Sequence, residues 1–147
     1  MYKHILIPTD GSKLSEKAIA AGIEFARAVQ ARVTGFTAVP EYQVPSEVEL
    51  MSGHGISPTD YERDAKKLAE IALQPIAERA RAAGVDYDAE FTQSDHPHEA
   101  IVRAALRHGC DLIFMASHGR RGISALIHPS ETQGVLTHSM IPALVYR

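Results

Sequence analysis

The sequence contains a single cysteine, Cys110, and no long apolar run. One cysteine excludes a disulfide framework, or a zinc site built from cysteines, within one chain. A helix that spans a bilayer needs roughly 20 apolar residues, and no run approaches that length. The chain also lacks a basic excess: its net charge is −3, whereas nucleic-acid binding needs a concentrated basic surface. We therefore expect no membrane span and no nucleic-acid partner.

The composition is that of an ordinary globular domain. The 147 residues fit one domain, 1–147, and they are 45% hydrophobic and 22% charged, which suits a packed core rather than disorder. The first residues lead straight into an apolar segment, without the pattern of a signal peptide. We expect a cytoplasmic protein.

Five segments are predicted to be strands. Two of them, 4–8 and 111–115, are the most apolar, which is typical of strands buried on both faces. A third, 85–92, alternates strictly between apolar and polar residues, which indicates a strand with one solvent-exposed face at the edge of the sheet. The segments 32–39 and 142–146 complete the set.

Longer segments with helical periodicity lie between these strands. They cover residues 12–30, 58–83, 97–108 and 130–138. Ser12 is the expected N-cap of the first helix. Leu14 and Leu68 belong to the predicted apolar stripes, and Pro75 is expected to kink the second helix.

The order of these elements predicts the fold. Strands that alternate with helices imply a parallel sheet with right-handed crossovers, and the two most apolar strands should be neighbours at its centre. We predict a single-domain, doubly wound α/β fold: a five-stranded parallel sheet of order 3-2-1-4-5 with helices on both faces. In such sheets the ligand lies beyond the carboxyl ends of the central strands, where strand order reverses. Those ends are Pro8–Asp10 and Met115–Ser117.

A long segment, 40–57, interrupts the pattern. It contains two prolines and two glycines, with Glu41, Glu47 and Glu49 and no lysine or arginine. We predict a long acidic loop, which is either functional or a poorly ordered connector.

The segment after the second central strand has the features of a phosphate cradle. Gly119 and Gly122 allow a concavity of backbone N–H groups, which suits an anion. Ser130 is predicted to open a helix, with Gln133 completing a capping box, and a helix N-terminus attracts phosphate. The alternative is an ordinary glycine turn followed by a capping serine. It is not a Walker loop, because no Lys-Ser/Thr follows the glycines.

Four segments together resemble the universal stress protein family over the whole chain. They are residues 5–12, 115–122, 130–132 and 141–145. The resemblance implies a regulatory module in stress tolerance that binds ATP with Mg²⁺ and forms a homodimer. Two alternatives stay open: a dimeric interaction module of the same family that has lost ATP, and a slow ATP hydrolase on the same fold.

The resemblance also implies the pocket residues. Asp10 would lie near the ribose or base, or else act as a turn residue that caps the helix at Ser12, and Ala38 would face adenine. The full nucleotide set comprises Pro8, Thr9, Asp10, Ala38, Met115, Ala116, Ser117, His118, Gly119, Arg120, Arg121, Gly122, Ser130, Glu131 and Thr132.

Two departures from the family pattern concern the phosphate motif. Nucleotide-binding members carry Gly, two residues, Gly, nine residues, then Gly-Ser or Gly-Thr. Here Ala116 replaces the first glycine, a mild change, and Pro129 replaces the last. Proline has no N–H, and the loss of one donor to a charged phosphate costs roughly 1.5–3 kcal/mol. We expect ATP binding to be weakened or abolished.

The final strand is the predicted dimer interface. An uncovered apolar edge favours strand pairing with a second copy. At the opposite edge, the negative charges of Asp86, Asp88 and Glu90 disfavour such pairing. The alternative is a monomer in which the 130–138 helix covers this strand. The interface set is Pro142, Ala143, Leu144, Val145 and Tyr146.

Other chemistries are disfavoured. Ser117 and His118 lack a third group that would orient a catalytic base. His96 and His98, with Glu99, offer too few ligands for a metal, and Pro97 at a helix start explains the segment without one. We expect no catalytic residue and no metal site.

Overall fold

The computed structural model describes residues 1–117 and 129–147. Within them, strands and helices alternate along the chain. The strands are β1 (His4–Pro8), β2 (Arg32–Val39), β3 (Tyr87–Gln93), β4 (Leu112–Ala116) and β5 (Ala143–Tyr146). The helices are α1 (Lys13–Val29), α2 (Glu47–Met51), α3 (Pro58–Ala83), α4 (Pro97–Arg107) and α5 (Pro129–His138).

The strands form one parallel sheet in the order β3-β2-β1-β4-β5, which confirms the predicted fold. β1 lies at its centre, where Ile5 pairs with Val33 of β2 on one side and with Leu112 of β4 on the other. β3 and β5 occupy the two edges, as the sequence indicated.

Helices cover both faces of the sheet. Successive residues of a strand point to opposite faces. Ile5 and Ile7 accordingly pack with Ile23 of α1 and Ile76 of α3, and Leu6 packs with helices α4 and α5 on the other face. Burying both faces of β1 explains its continuous apolar sequence.

Two predicted core positions are wrong. Leu14 and Leu68 are 47% and 61% exposed. The buried stripe of α1 instead includes Ser15, Ile19 and Ile23. Ser15 faces inward because its hydroxyl donates to Asp10 at 2.7 Å, a polar contact that apolar periodicity does not reveal.

The predicted acidic loop contains a short helix, α2, which the sequence reasoning missed. It starts with a capping box: the N–H of Glu49 donates to the Ser46 hydroxyl at 3.3 Å, and the Glu49 carboxylate accepts from the Ser46 N–H at 2.7 Å. The Ser46 N–H and the Ser46 hydroxyl both donate to the Glu49 carboxylate, and these two hydrogen bonds lower the pKa of Glu49. The spacing Ser-x-x-Glu at 46–49 was the available signal.

In the described part of the chain, none of the helices combines the length and apolar content that crossing a membrane requires.

Candidate functional site

Strand order reverses between β1 and β4. From β1 the chain builds outward through β2 to β3, and it then returns to place β4 and β5 on the other side. Such a reversal opens a crevice beyond the carboxyl ends of the two strands. Thr9 and Asp10 follow β1, Ala116 ends β4 and Ser117 follows it. These predicted site residues therefore lie at the carboxyl ends of two adjacent strands.

The turn after β1 is held by its own backbone and side chains. Thr9 is 2% exposed and its N–H donates to the carbonyl of Phe36 on β2 at 2.8 Å. Its hydroxyl accepts from the N–H of Gly11 at 3.1 Å. Gly11 has a φ of +78°, a left-handed conformation that glycine adopts without strain. The turn therefore presents Asp10 at a fixed place above the sheet.

The two carboxylate oxygens of Asp10 have different surroundings. Oδ1 accepts from the N–H of Ser12 at 2.9 Å and from the hydroxyl of Ser15 at 2.7 Å, so the turn role predicted for Asp10 is confirmed. Oδ2 is buried and has no hydrogen-bond partner among the described residues. A buried carboxylate oxygen without a donor is costly, so this atom is suited to accept a hydrogen bond from a ligand.

Ser12 occupies the N-cap position of α1, as predicted, but it makes no cap bond through its side chain within the described chain. Its hydroxyl pairs with that of Ser15 at 3.1 Å.

Small side chains end the neighbouring strands. Ala38, near the end of β2, is half-buried and packs against the core on the α4 face. Ala116 is 8% exposed and contacts Ala18 of α1. The N–H of Ser117 donates to the carbonyl of Tyr146 on β5 at 2.6 Å, which fixes the chain where it leaves β4.

The helix that was predicted to receive phosphate begins one residue earlier than expected. α5 starts at Pro129, so Ser130 lies inside the helix and the predicted capping box is wrong. Gln133 donates instead to the hydroxyl of Thr137 at 3.1 Å. Proline is favoured at a first helical position, where the N–H has no intrahelical acceptor, and this explains the earlier start.

The first turn of α5 carries backbone N–H groups, among them those of Glu131 and Thr132. Thr132 is 8% exposed, and its hydroxyl has no hydrogen-bond partner in the described regions. The first turn of a helix, at the positive end of its dipole, suits an anion.

The predictions for His118, Gly119, Arg120, Arg121 and Gly122 fall outside the described residues.

One contact at the site was missed by the sequence reasoning. The Glu131 carboxylate accepts hydrogen bonds from His98 of α4, through its backbone N–H at 2.7 Å and its ring Nδ1 at 2.8 Å. His98 had been considered only as a metal ligand. Within residues 1–117 and 129–147, no cluster of three or more His, Cys, Asp or Glu side chains is arranged to hold a metal.

Comparison with known proteins gives consistent matches along the whole chain. A model of the universal stress protein family matches residues 1–147. A universal stress protein of Thermus aquaticus is 29% identical over 150 residues, which cover 100% of both chains. A universal stress protein of Methanocaldococcus jannaschii is also 29% identical, with 100% of this chain and 96% of the relative covered.

Solved structures share the fold at lower identity. A universal stress protein in complex with cAMP has a TM-score of 0.69 at 24% identity, covering 99% of this chain and 97% of that one. An Arabidopsis thaliana family protein with AMP bound has a TM-score of 0.67 at 13% identity, covering 97% of this chain and 90% of that one.

Proposed function

The chain belongs to the universal stress protein family, and from that premise we propose that it is a regulatory module that binds an adenine nucleotide in the crevice between β1 and β4. The single observation that carries this proposal is the buried Oδ2 of Asp10 at the turn after β1, which has no hydrogen-bond partner among residues 1–117 and 129–147. Relatives whose structures contain cAMP or AMP support the same ligand class.

The nucleoside is proposed to lie over the carboxyl ends of β1 and β2. Oδ2 of Asp10 would accept a hydrogen bond from a ribose hydroxyl or from the adenine amino group. Ala38, with only a methyl group as its side chain, would face the flat base. Oδ1 already bonds Ser12 and Ser15, so the carboxylate is oriented before the ligand arrives. A group that is already oriented loses little conformational entropy on binding.

The phosphate is proposed to lie at the N-terminus of α5. The N–H groups of Glu131 and Thr132 would supply donors, and the glycines at 119 and 122 would add others. Pro129 contributes none, so we propose a module that holds a mononucleotide more readily than ATP with Mg²⁺. The module would bind the nucleotide and act as a regulator according to whether the nucleotide is bound. We assign it no catalytic step.

A second candidate function, a dimeric interaction module without ATP, is favoured by the position of β5 at the edge of the sheet. Carbonyls of Pro142 and Tyr146 accept from Ile113 and Ser117 at the β4 side. The backbone groups of Val145 therefore face away from β4, where a second copy could pair with them.

The opposite edge is less suited to pairing. Asp86 and Asp88 are exposed there. Glu90 is half-buried and binds Arg107 and His108 of the α4 end. Exposed like charges disfavour pairing of two β3 edges, so we propose a homodimer through β5.

Calorimetric titration of the full chain with AMP, with adenosine and with ATP plus Mg²⁺ tests the proposal. AMP is expected to bind, with ATP weaker, and adenosine to retain the nucleoside part of the affinity. If none of the three binds while the protein is dimeric, the second candidate function replaces the first. An ATP hydrolysis rate well above background would favour the hydrolase alternative instead.

A further inference from the structure

The first turn of α5 is fixed to the start of α4 by one carboxylate oxygen. Oε2 of Glu131 accepts both the backbone N–H of His98 at 2.7 Å and its ring Nδ1 at 2.8 Å. The two side chains are only 16% and 24% exposed, so water competes little for these bonds. Because Nδ1 faces a carboxylate oxygen, it is the ring nitrogen that carries a proton.

This carboxylate caps a helix other than its own. α4 begins at Pro97, and in the described chain the preceding His96 makes no cap bond through its side chain. The N–H of His98, the second residue of α4, has no acceptor within that helix. Glu131 supplies the acceptor from α5, and the positive end of the α4 dipole favours its negative charge.

The His98 ring is also held from its other sides. A Cβ placed at Gly134 would lie 2.5 Å from Cγ of His98, so the ring packs directly on the α5 backbone. The His138 ring stacks on it with centroids 5.6 Å apart. His138 itself donates from Nδ1 to the Gly134 carbonyl at 2.9 Å. One imidazole therefore joins α4 to both the first and the last turn of α5.

We propose that the His98–Glu131 pair positions the N-terminus of α5 for a ligand phosphate and keeps the Glu131 charge engaged with α4. The inference rests on the nucleotide binding proposed above. A helix binds an anion through its first N–H groups, and their direction depends on where the first turn lies. A free carboxylate in that turn would repel the anion. His98 is thus a positioning residue that acts through Glu131.

Comparison of AMP with adenosine tests this role, because the two ligands differ by the phosphate alone. In calorimetric titrations of the full chain, His98→Ala is expected to raise the Kd for AMP about tenfold and to leave that for adenosine within about twofold. His98→Asn keeps a side-chain donor near the place of Nδ1 and is expected to restore most of the AMP affinity. Glu99→Gln removes an exposed carboxylate from the same turn of α4 and is the matched control, which should change neither Kd.

Equal weakening of both ligands, or no change in either, overturns the positioning role. A second measurement does not need a ligand: amide hydrogen exchange of residues 131–135 is expected to be about fivefold faster in His98→Ala, with α1 and α3 unchanged. Unchanged exchange in 131–135 also overturns the role. If the parent binds neither AMP nor adenosine, the proposed function fails, and the exchange result still decides whether the pair fixes α5.

Discussion

Ile5 of β1 and Leu112 of β4 are direct partners at the centre of the parallel sheet. Ile5 also pairs with Val33 of β2, so β1 has a parallel neighbour on each side. After β1 the chain adds β2 and β3 on one side of it, and then β4 and β5 on the other side. Strand order therefore reverses between β1 and β4. This pairing brings the turn that carries Asp10 next to the end of β4.

Replacing Asp10 by asparagine should weaken nucleoside binding. The asparagine carbonyl can take over the bonds to Ser12 and Ser15, but an NH₂ group then replaces the acceptor Oδ2. Loss of a hydrogen bond to a charged group costs about 1.5–3 kcal/mol, so the Kd values for adenosine and AMP should both rise by at least about tenfold. Calorimetric titration measures both.

The matched control is Asp64→Asn, which removes an exposed carboxylate of α3. It should leave both Kd values unchanged. Asp10→Asn with the affinity of the parent would show that Oδ2 does not contact the ligand.

Replacing Pro129 by glycine should strengthen phosphate binding, because it restores an N–H at the first position of α5. The Kd for AMP is expected to fall roughly tenfold, while the Kd for adenosine stays the same. Pro129→Ala restores the N–H without the flexibility of glycine. This variant therefore distinguishes the effect of the added donor from the effect of a more flexible backbone. A parent that already binds ATP at submicromolar Kd, with no change in either variant, would contradict the donor argument.

The sheet could be predicted from the sequence because its signals are local and repeated. Continuous apolar runs at 4–8 and in β4 identify strands buried on both faces, and the alternation with helices fixes the parallel order. The exposure of Leu14 and Leu68 could not be predicted in this way. Which residues of a helix face the sheet also depends on polar contacts such as Ser15 with Asp10, and these arise only when the turn has formed.

The candidate site was predicted in part. The ends of the central strands follow from topology, and the family pattern adds the start of α5. The contact between Glu131 and His98 joins residues of two different helices, and no local pattern in the sequence reports it. The wrong start of α5 has a similar cause: Ser130 matches a capping serine, but Pro129 at the first helical position moves the boundary.

Dimer formation through β5 should be blocked by Val145→Pro. The N–H of this residue faces away from β4, so proline removes a donor to a second copy without removing a bond to β4. Light scattering across a concentration series is expected to show a dimer for the parent and a monomer for the variant. Circular dichroism checks that the variant is folded.

Ala89→Pro on the edge strand β3 is the control for this variant. The N–H of Ala89 donates to the carboxylate of Asp88 at 2.7 Å, so it is not a bond of the β2–β3 ladder. The control should remain dimeric. A folded Val145→Pro protein that is still dimeric would place the interface elsewhere.

The thiol of Cys110 should react very slowly in the native protein. Cys110 is only 5% exposed. Burial, helped by the charge of Asp111, raises its pKa to about 12. At pH 8 a thiol reagent should modify native protein roughly a hundredfold more slowly than protein unfolded in urea. Equal rates in the two states would show that the thiol is accessible.

His4 should make the protein less stable in mild acid. Burial lowers the pKa of His4 below 6.5, and the charges of Arg32 and His108 act in the same direction, while Asp111 opposes them. The ring also hydrogen-bonds the buried Thr34 hydroxyl at 2.7 Å through Nε2.

The direction of this change in stability with pH follows from proton uptake. Below pH 6.5 the unfolded chain takes up a proton at His4 that the folded chain resists, so the stabilisation present above pH 6.5 is lost as the pH falls. His4→Gln should therefore show a smaller drop in urea midpoint between pH 7.5 and 5.5 than the parent. His54→Gln, in an exposed position, should show the same drop as the parent. An unchanged drop in His4→Gln would contradict the assignment.

Nuclear magnetic resonance titration of ¹⁵N-labelled protein tests most directly whether the crevice between β1 and β4 is a nucleotide site. Adenosine is expected to shift the amides of 9–12, of Ala38 and of 116–117 in a saturable way. AMP is expected to shift the same amides and, in addition, those of 130–132. Saturable shifts confined to the α1–α3 face, or no shifts with either ligand, would contradict the account.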